Sequence, residues 1–408
     1  MRLRYLRPAP VHERRQKRRP FKGSVFFRHP DYDFMRLKAK TREIEYLDER
    51  VTSFKYKKAD LVLIPVYAHT VHRAAELSVF YRHHEEPVIF TGPFASIAPD
   101  YCLKFCDGVA IGDITSSIDE IISDLEARKL KKRYRSKEPL SFEVDREVED
   151  RSGFVPDYSQ LRLQFGCGCL HQKEFCYEYY LHPETTFCDL KKALQLTSLI
   201  NRKRVILLDD AVDSNPDYYL EFFKDCWQYH KEWIVSATGR IFDHPDLLLA
   251  MKRAGVRGII LKSDYYLSRR KEDIAKDLSY IHHLRMIPGL TVVLNPDVDL
   301  EIIDEIMRLP ADFALFPTKT PIPFTSSFEK KDLELEDLDF FDQGHPVMKG
   351  IDPNIIEKIK DRYYSMDQIL GRLISTLSRI GVYNSLYYLM PINLALRQNF
   401  LEGIPYPP

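Results

Sequence analysis

The sequence predicts an α/β protein: an N-terminal doubly wound domain, a partial or full β/α barrel of six strands, and a helical C-terminal region. Three observations predict it. Short apolar runs alternate with amphipathic helical stretches twice along the chain, which implies parallel sheets covered by helices. A charged, proline-containing stretch separates the two alternations. The chain has 408 residues, too many for one ordinary core and suited to two domains.

Composition places the chain among soluble globular proteins, with 44% hydrophobic and 29% charged residues. The 60 basic residues balance 60 acidic ones, so global charge names no partner. No apolar run approaches the ~18 residues of a membrane helix, and the N-terminus lacks the apolar core of a secretory signal. The expected location is cytoplasmic. In that reducing compartment seven cysteines, an odd number, do not read as structural disulfides, so their clustering asks for another explanation.

Residues 1–23, MRLRYLRPAPVHERRQKRRPFKG, hold nine Arg or Lys against the single acid Glu13. Pro8, Pro10 and Pro20 break any amphipathic helix there, and the stretch reads as a solvated basic tail with no assigned function. It alone does not specify a nucleic-acid partner. Residues 24–130 form the doubly wound domain, with strands in EIEYLDERV, ADLVLIPVYAHT, EPVIFTG and VAIGD and helices in VHRAAELSVFYRHH and SSIDEIISDLEARK. Residues 131–157 are charged, lack an apolar period and read as a linker.

Residues 158–325 carry the barrel. Strand patterns in SQLRLQFG, RVILLDDAV, EWIVSATG, VRGIILKSD, LTVVLNPD and DFALFPT alternate with five helical patterns. Residues 326–408 begin with an acidic segment and continue as helices. Ser365 and Gln368 form a capping box ahead of ILGRLISTLSRIGVY. The segment GVYNSLYYLMPINLAL is expected to be a lid on the barrel or a dimer contact.

Barrel chemistry sits at the C-terminal ends of the strands, where FGCGCLHQKEFCY, residues 165–177, follows the first strand. Three cysteines within ten positions of a glycine-containing loop suit a soft metal, and three thiolates on a 4Fe-4S cluster would leave one iron open. The spacing fits no common zinc pattern. At the second strand end stand Asp209 and Asp210, of which one can face the barrel mouth. Lys262 and Lys319, also at strand ends, read either as an anion site or as ion-pair partners of these aspartates.

These residues resemble the radical S-adenosylmethionine (radical SAM) superfamily, specifically its class with an N-terminal cobalamin-binding-type domain. In that class a strand ending in a motif like R-G-C-P-x-x-C-x-F-C opens a partial barrel, and C-x-x-x-C-x-x-C holds a 4Fe-4S cluster whose free iron chelates S-adenosylmethionine. Aligned on Phe175 and Cys176, Cys169 falls on the first ligand, Cys176 on the third and Lys173 on the second. Cys167 is the nearby substitute, giving Cys167, Cys169 and Cys176 as the expected metal ligands; Cys188 is a more distant one. VIFTGPFASIAPDY, VAIGD, RVILLDD and LFPTKTPIPF resemble further family segments in the family's order.

The resemblance implies cofactor contacts at Gly92, Pro93, Asp210, Lys262 and Asn295, with S-adenosylmethionine and a 4Fe-4S cluster as cofactors. Cobalamin is implied more weakly, because the D-x-H-x-x-G loop is absent and His29 stands outside any such motif. Lys262-Ser263-Asp264 and Asn295-Pro296-Asp297 replace the usual fourth and fifth strand ends. Two functions follow: an enzyme of radical or methyl-transfer chemistry on a substrate the sequence does not name, or a catalytically degenerate homologue serving as partner of an active paralogue. A homo-oligomer is compatible with both.

Overall fold

The computed structural model describes residues 1–10, 31–41, 43–50, 52–136, 161–168, 176–181, 185–262, 270–298, 300–325 and 328–402. The first sheet is wholly parallel, with strands β1 (Leu3–Arg7), β2 (Ile44–Asp48), β3 (Leu61–Pro65), β4 (Val88–Thr91), β5 (Gly108–Ile111) and β6 (Arg133–Arg135) in the order β2-β1-β3-β4-β5-β6. Helices α1 (Tyr32–Lys40) and α3 (Ile114–Glu126) cover one face; α2 (Val71–His83) and the short helices Pro93–Ile97 and Pro99–Cys102 cover the other. This is the expected doubly wound domain.

Its start differs from the sequence reading. Leu3–Arg7 is no tail but an interior strand, flanked by β2 and β3. Two of the arginines that suggested solvent are buried and paired: the Arg4 guanidinium donates to the carbonyls of Lys55 and Lys57, and Arg7 lies 3.5 Å from Asp31. Leu3, Tyr5 and Leu6 are buried between them. The basic run 11–30, including His29, lies outside the described residues. At the other end the sheet gains β6 from the expected linker, because Tyr134 turns inward between two outward arginines.

The second sheet is the six-stranded partial barrel: β7 (Leu161–Leu163), β10 (Arg204–Leu207), β11 (Glu232–Ala237), β12 (Val256–Leu261), β13 (Ile287–Thr291) and β14 (Phe313–Leu315), all parallel and in chain order. Between β7 and β10, the two-residue strands β8 (Gly166–Cys167) and β9 (Thr186–Phe187) pair antiparallel. Amphipathic helices α4 (Leu190–Leu199), α5 (Pro216–Cys226), α6 (Pro245–Arg253), α7 (Lys271–His283) and α8 (Glu301–Arg308) fill the crossovers and bury their apolar faces on the sheet. Where α6 turns into β12, Gly255 adopts φ 91°, and a Cβ there would stand 2.2 Å from the Lys231 carbonyl oxygen. Gly255→Ala is therefore expected to lower stability by roughly 3 kcal/mol, read as a fall in the urea midpoint. Gly371→Ala, which would meet nothing within 4 Å on a helix, is expected to leave the midpoint unchanged or raise it.

The acidic segment is not an appendage. Leu333, Phe341 and Val347 are buried in the first domain's core beside Leu77 and Tyr81, and Glu334 and Lys349 bond across to Val347 and Asp332 as a small antiparallel strap. Charged residues outnumber these anchors in sequence, and only their outward positions made the stretch look solvated.

Helices α9 (Met366–Asn384) and α10 (Met390–Glu402), joined by a π-helical turn, complete the described residues. Ser365 caps α9 by accepting from the Gln368 amide, as expected. The lid expectation is corrected: this pair closes the N-terminal end of the barrel, away from the cysteine loop. The Tyr388 and Tyr383 hydroxyls bond Glu232 at the start of β11, the Asn384 amide donates to the Arg285 carbonyl ahead of β13, and the Asn393 amide donates to the Asp312 carbonyl ahead of β14. Polar tips on a Tyr- and Asn-containing helix found partners only at that end. Burial pushes the Glu232 carboxyl up, but the bonds from Tyr388 and Lys203 override it and hold it below its ordinary range.

Candidate active site at the barrel mouth

The site begins where β7 ends. The Phe165 amide donates to Asp209 Oδ1 at 2.7 Å, and the Tyr219 hydroxyl of α5 bonds Asp209 Oδ2, so this buried carboxylate fixes the loop after β7 against the next crossover. The Cys188 amide closes on the Phe165 carbonyl at 2.6 Å, and β8 then pairs with β9. This places the buried Cys167 thiol 3.0 Å from Thr186 Oγ1.

Asp210 points the other way, into the mouth, where its Oδ1 contacts Lys262 Nζ from the end of β12. Its Oδ2 is buried and has no hydrogen-bond partner among the described residues. Cys167, Gln164, Asp209, Asp210, Ser236 and Lys262 line a cavity of about 140 Å³. An ammonium, an unpartnered carboxylate oxygen and a hydroxyl around one small cavity form a set of polar groups that fits the zwitterionic end of an amino acid. Cys167 lines the same cavity.

Three of the sequence-predicted residues, Cys167, Asp210 and Lys262, are thus brought together. Cys176, partly exposed, ends the loop immediately before the short helix Tyr177–Leu181. Cys169 and Lys173, like Ser263 and Asp264, lie outside the described residues. Cys188 is core: it is buried, and desolvation pushes its thiol up to about 11, which keeps it protonated and a poor ligand at neutral pH. Asn295 is not part of this cavity; its side chain accepts the Asp297 amide at 2.8 Å and closes a turn of its own. The Lys319 amide continues the β13–β14 pairing by bonding the Leu294 carbonyl. Thr186, Gln164 and Ser236 were missed. Ser236 was findable as the polar residue near the C-terminal end of the EWIVSA strand, whereas nothing local marks Thr186.

Gly92 and Pro93 sit at the facing edge of the first domain. Gly92 has φ 87°, and a Cβ there would stand 3.3 Å from the Val66 nitrogen, so packing of β4 against β3 already requires glycine. The helix Pro93–Ile97 packs directly on Tyr177–Leu181, one residue beyond Cys176. The Tyr32 hydroxyl reaches the Gln164 carbonyl at 3.3 Å from the same edge. The C-terminal edges of the two sheets therefore face each other across the cysteine loop.

In an open α/β sheet a cofactor lies in the crevice outside the strand ends. Here Arg7 at the end of β1 pairs with Asp31, both buried, Arg50 pairs with Asp48 just past β2, and the partly exposed Arg73 of α2 pairs with Glu49.

No family model matches the sequence, and no curated protein matches it. Among solved structures the chain is similar to a radical S-adenosylmethionine methyltransferase, TsrM, from Kitasatospora setae, determined with cobalamin and a 4Fe-4S cluster bound. The match has a TM-score of 0.54 and covers 79% of this chain and 73% of that one, at 14% sequence identity. The chain shares the fold of that methyltransferase. The Rossmann-like domain, partial (β/α)6 barrel and helical C-terminal region are all present in the order the sequence predicts. Within this fold, Cys167 and Cys176 bracket the loop after the first barrel strand, and Asp210 and Lys262 occupy the second and fourth strand ends. No helix among the described residues is long and apolar enough to cross a membrane.

Proposed function

We propose that the chain is a radical SAM enzyme that holds a 4Fe-4S cluster on Cys167, Cys169 and Cys176 and takes the amino-acid end of S-adenosylmethionine between Asp210 and Lys262. The observation that carries this reading is that Cys167 lines the same cavity as Asp210, whose Oδ2 is unpartnered among the described residues, and Lys262. A cluster bound there supplies the electron for reductive cleavage of S-adenosylmethionine, opening radical or methyl-transfer chemistry. The protein's own part is positional. Asp209 holds the loop after β7, and Thr186 places a hydroxyl on the Cys167 sulfur. Lys262 offers charge to a carboxylate and Asp210 to an ammonium. Cobalamin has no part in this proposal, because the sequence carries no D-x-H-x-x-G loop to supply its histidine.

The test is anaerobic reconstitution with iron and sulfide analysis and a visible spectrum. About four irons per chain are expected, as for a cluster of this class, with loss in Cys167→Ala, Cys169→Ala and Cys176→Ala and retention in Lys173→Ala. A chain that takes up no iron, or a Cys167→Ala variant that keeps it all, overturns the ligand set. The absence of iron would return the chain to the role of a degenerate partner of an active paralogue. Incubation with reductant and S-adenosylmethionine, scored for 5'-deoxyadenosine and for methylated product, then separates chemistry from cluster binding alone.

A further inference from the structure

The C-terminal helices that close the base of the barrel turn a large apolar face outward. On α9, Ile369, Thr376 and Ile380 face the core, while Met366, Leu370, Ile374 and Leu377 form an exposed stripe at spacings of four, four and three residues. Arg372 and Arg379, seven residues apart, fall on the opposite flank, and Arg372 is engaged by the Tyr363 carbonyl and Asn393. Beyond the break at Gly381, Val382, Tyr383, Leu386, Tyr387 and Met390 repeat the pattern, with the Tyr383 and Tyr387 rings stacked at 4.9 Å. These nine side chains are 37–74% exposed.

We infer that this face is the interface of a symmetric dimer, with a second copy of the chain as its occupant. Area is the first argument. A soluble monomer rarely exposes a contiguous apolar patch beyond a few hundred Å². At their observed exposures the nine side chains offer roughly 800 Å², which is the share each partner contributes to a stable interface of standard size. Charge is the second. Between Asp367 and Arg397 the only charged residues are Arg372 and Arg379, both off the stripe, and the Lys203 and Arg257 cations that lie over the Tyr383 ring are paired with Glu232. A two-fold contact places a patch against itself, so it tolerates a charge-free surface and is penalised by a single-signed one. Nucleic acid or an anionic membrane would call for cations along the face, whereas the nine side chains are uncharged and the nearby Lys203 and Arg257 are paired with Glu232.

Rigidity is the third. The Tyr383, Asn384, Tyr388 and Asn393 bonds to the barrel base hold the face in place before any partner arrives, so little ordering remains to be done on association. The dimer would leave both barrel mouths open, since the face lies at the end opposite Cys167. The inference is independent of whether the mouth carries a cluster.

Sedimentation velocity and light scattering on the purified full chain test it. At micromolar concentration the particle is expected at twice the 48.0 kDa chain mass. Ile374→Glu and Tyr387→Glu, each at an exposed position, are expected to return it to the single-chain mass with an unchanged circular dichroism spectrum. A wild-type chain of single-chain mass overturns the inference, as does a two-chain mass kept by both folded variants. A single-chain protein that floats with phosphatidylcholine vesicles, and loses this with Ile374→Glu, would make the face a membrane surface and also overturn it.

Discussion

Arg36→Ala is expected to destabilise the protein by about 3–5 kcal/mol, the cost of leaving one partner of a buried ion pair uncompensated. Arg36 is buried under the first sheet and grips Asp113 in bidentate fashion, at 2.8 and 2.9 Å, while also reaching Asp33 at 2.7 Å. Asp113 caps α3, accepting from the Thr115 amide at 2.9 Å and hydroxyl at 2.7 Å. The guanidinium thus joins the helix after β1 to the helix after β5. Removing it strands a carboxylate that folding has already desolvated. Arg82→Ala, which touches only the half-exposed Asp107 pair and a carbonyl, is the control and should shift the urea midpoint by less than about 1 kcal/mol equivalent.

The same pair predicts a pH signature. Burial alone would raise the Asp113 carboxyl, but Arg36 and the Thr115 bonds hold it below the ordinary range. A group whose pKa is lower folded than unfolded adds stability above its unfolded pKa of about 3.9, and that stability is lost as pH falls through the folded value. The gap between wild type and Arg36→Ala should therefore be full at pH 6 and narrow below about pH 4. Arg36 also pulls the Asp33 carboxyl down against the burial that raises it, so Asp33 contributes to the gap in the same sense. A gap that stays constant down to pH 3 would show that packing of the guanidinium, for instance over the Tyr32 ring, carries the effect instead.

At the barrel mouth the large effect is on ligand affinity. Asp210→Ala and Lys262→Ala are each expected to weaken binding of S-adenosylmethionine to the reconstituted protein by about 10- to 100-fold, the worth of one hydrogen bond to a charged group. Iron content should be unchanged in both, since neither residue belongs to the thiol set. Because the two side chains touch, the double variant should lose less than the sum. Equilibrium dialysis under anaerobic conditions measures all four corners of the cycle. Unchanged affinity in both single variants, with iron retained, would reduce the pair to an ordinary ion pair.

Much of this was legible because periodicity reports burial. The barrel strands, their order and the strand-end positions of Cys167, Asp210 and Lys262 follow from apolar runs and their spacing. The failures share a cause: the deciding partner lay far away in sequence. Leu3–Arg7 looked like a basic arm because the carbonyls of Lys55 and Lys57 that satisfy Arg4 are more than fifty residues distant. The fifth barrel strand was expected over LTVVLNPD but runs Ile287–Thr291, since Pro288-Gly289 reads as a turn until the Phe313 ring is seen lying against Gly289. Tyr388 and Asn393 marked a helix that docks, and only Glu232 and Asp312 show at which end.

The strap bears on how the chain is made. The first domain's core is complete only when Leu333, Phe341 and Val347 arrive, after the entire barrel has been translated. At about 5–20 residues per second, the roughly two hundred residues between β6 and the strap take on the order of ten to forty seconds. During that interval the face of α2 that the strap will cover stays bare on the nascent chain. The two domains are therefore interleaved in biosynthetic time, and a gene fragment ending after β6 would encode a first domain permanently lacking part of its own interior.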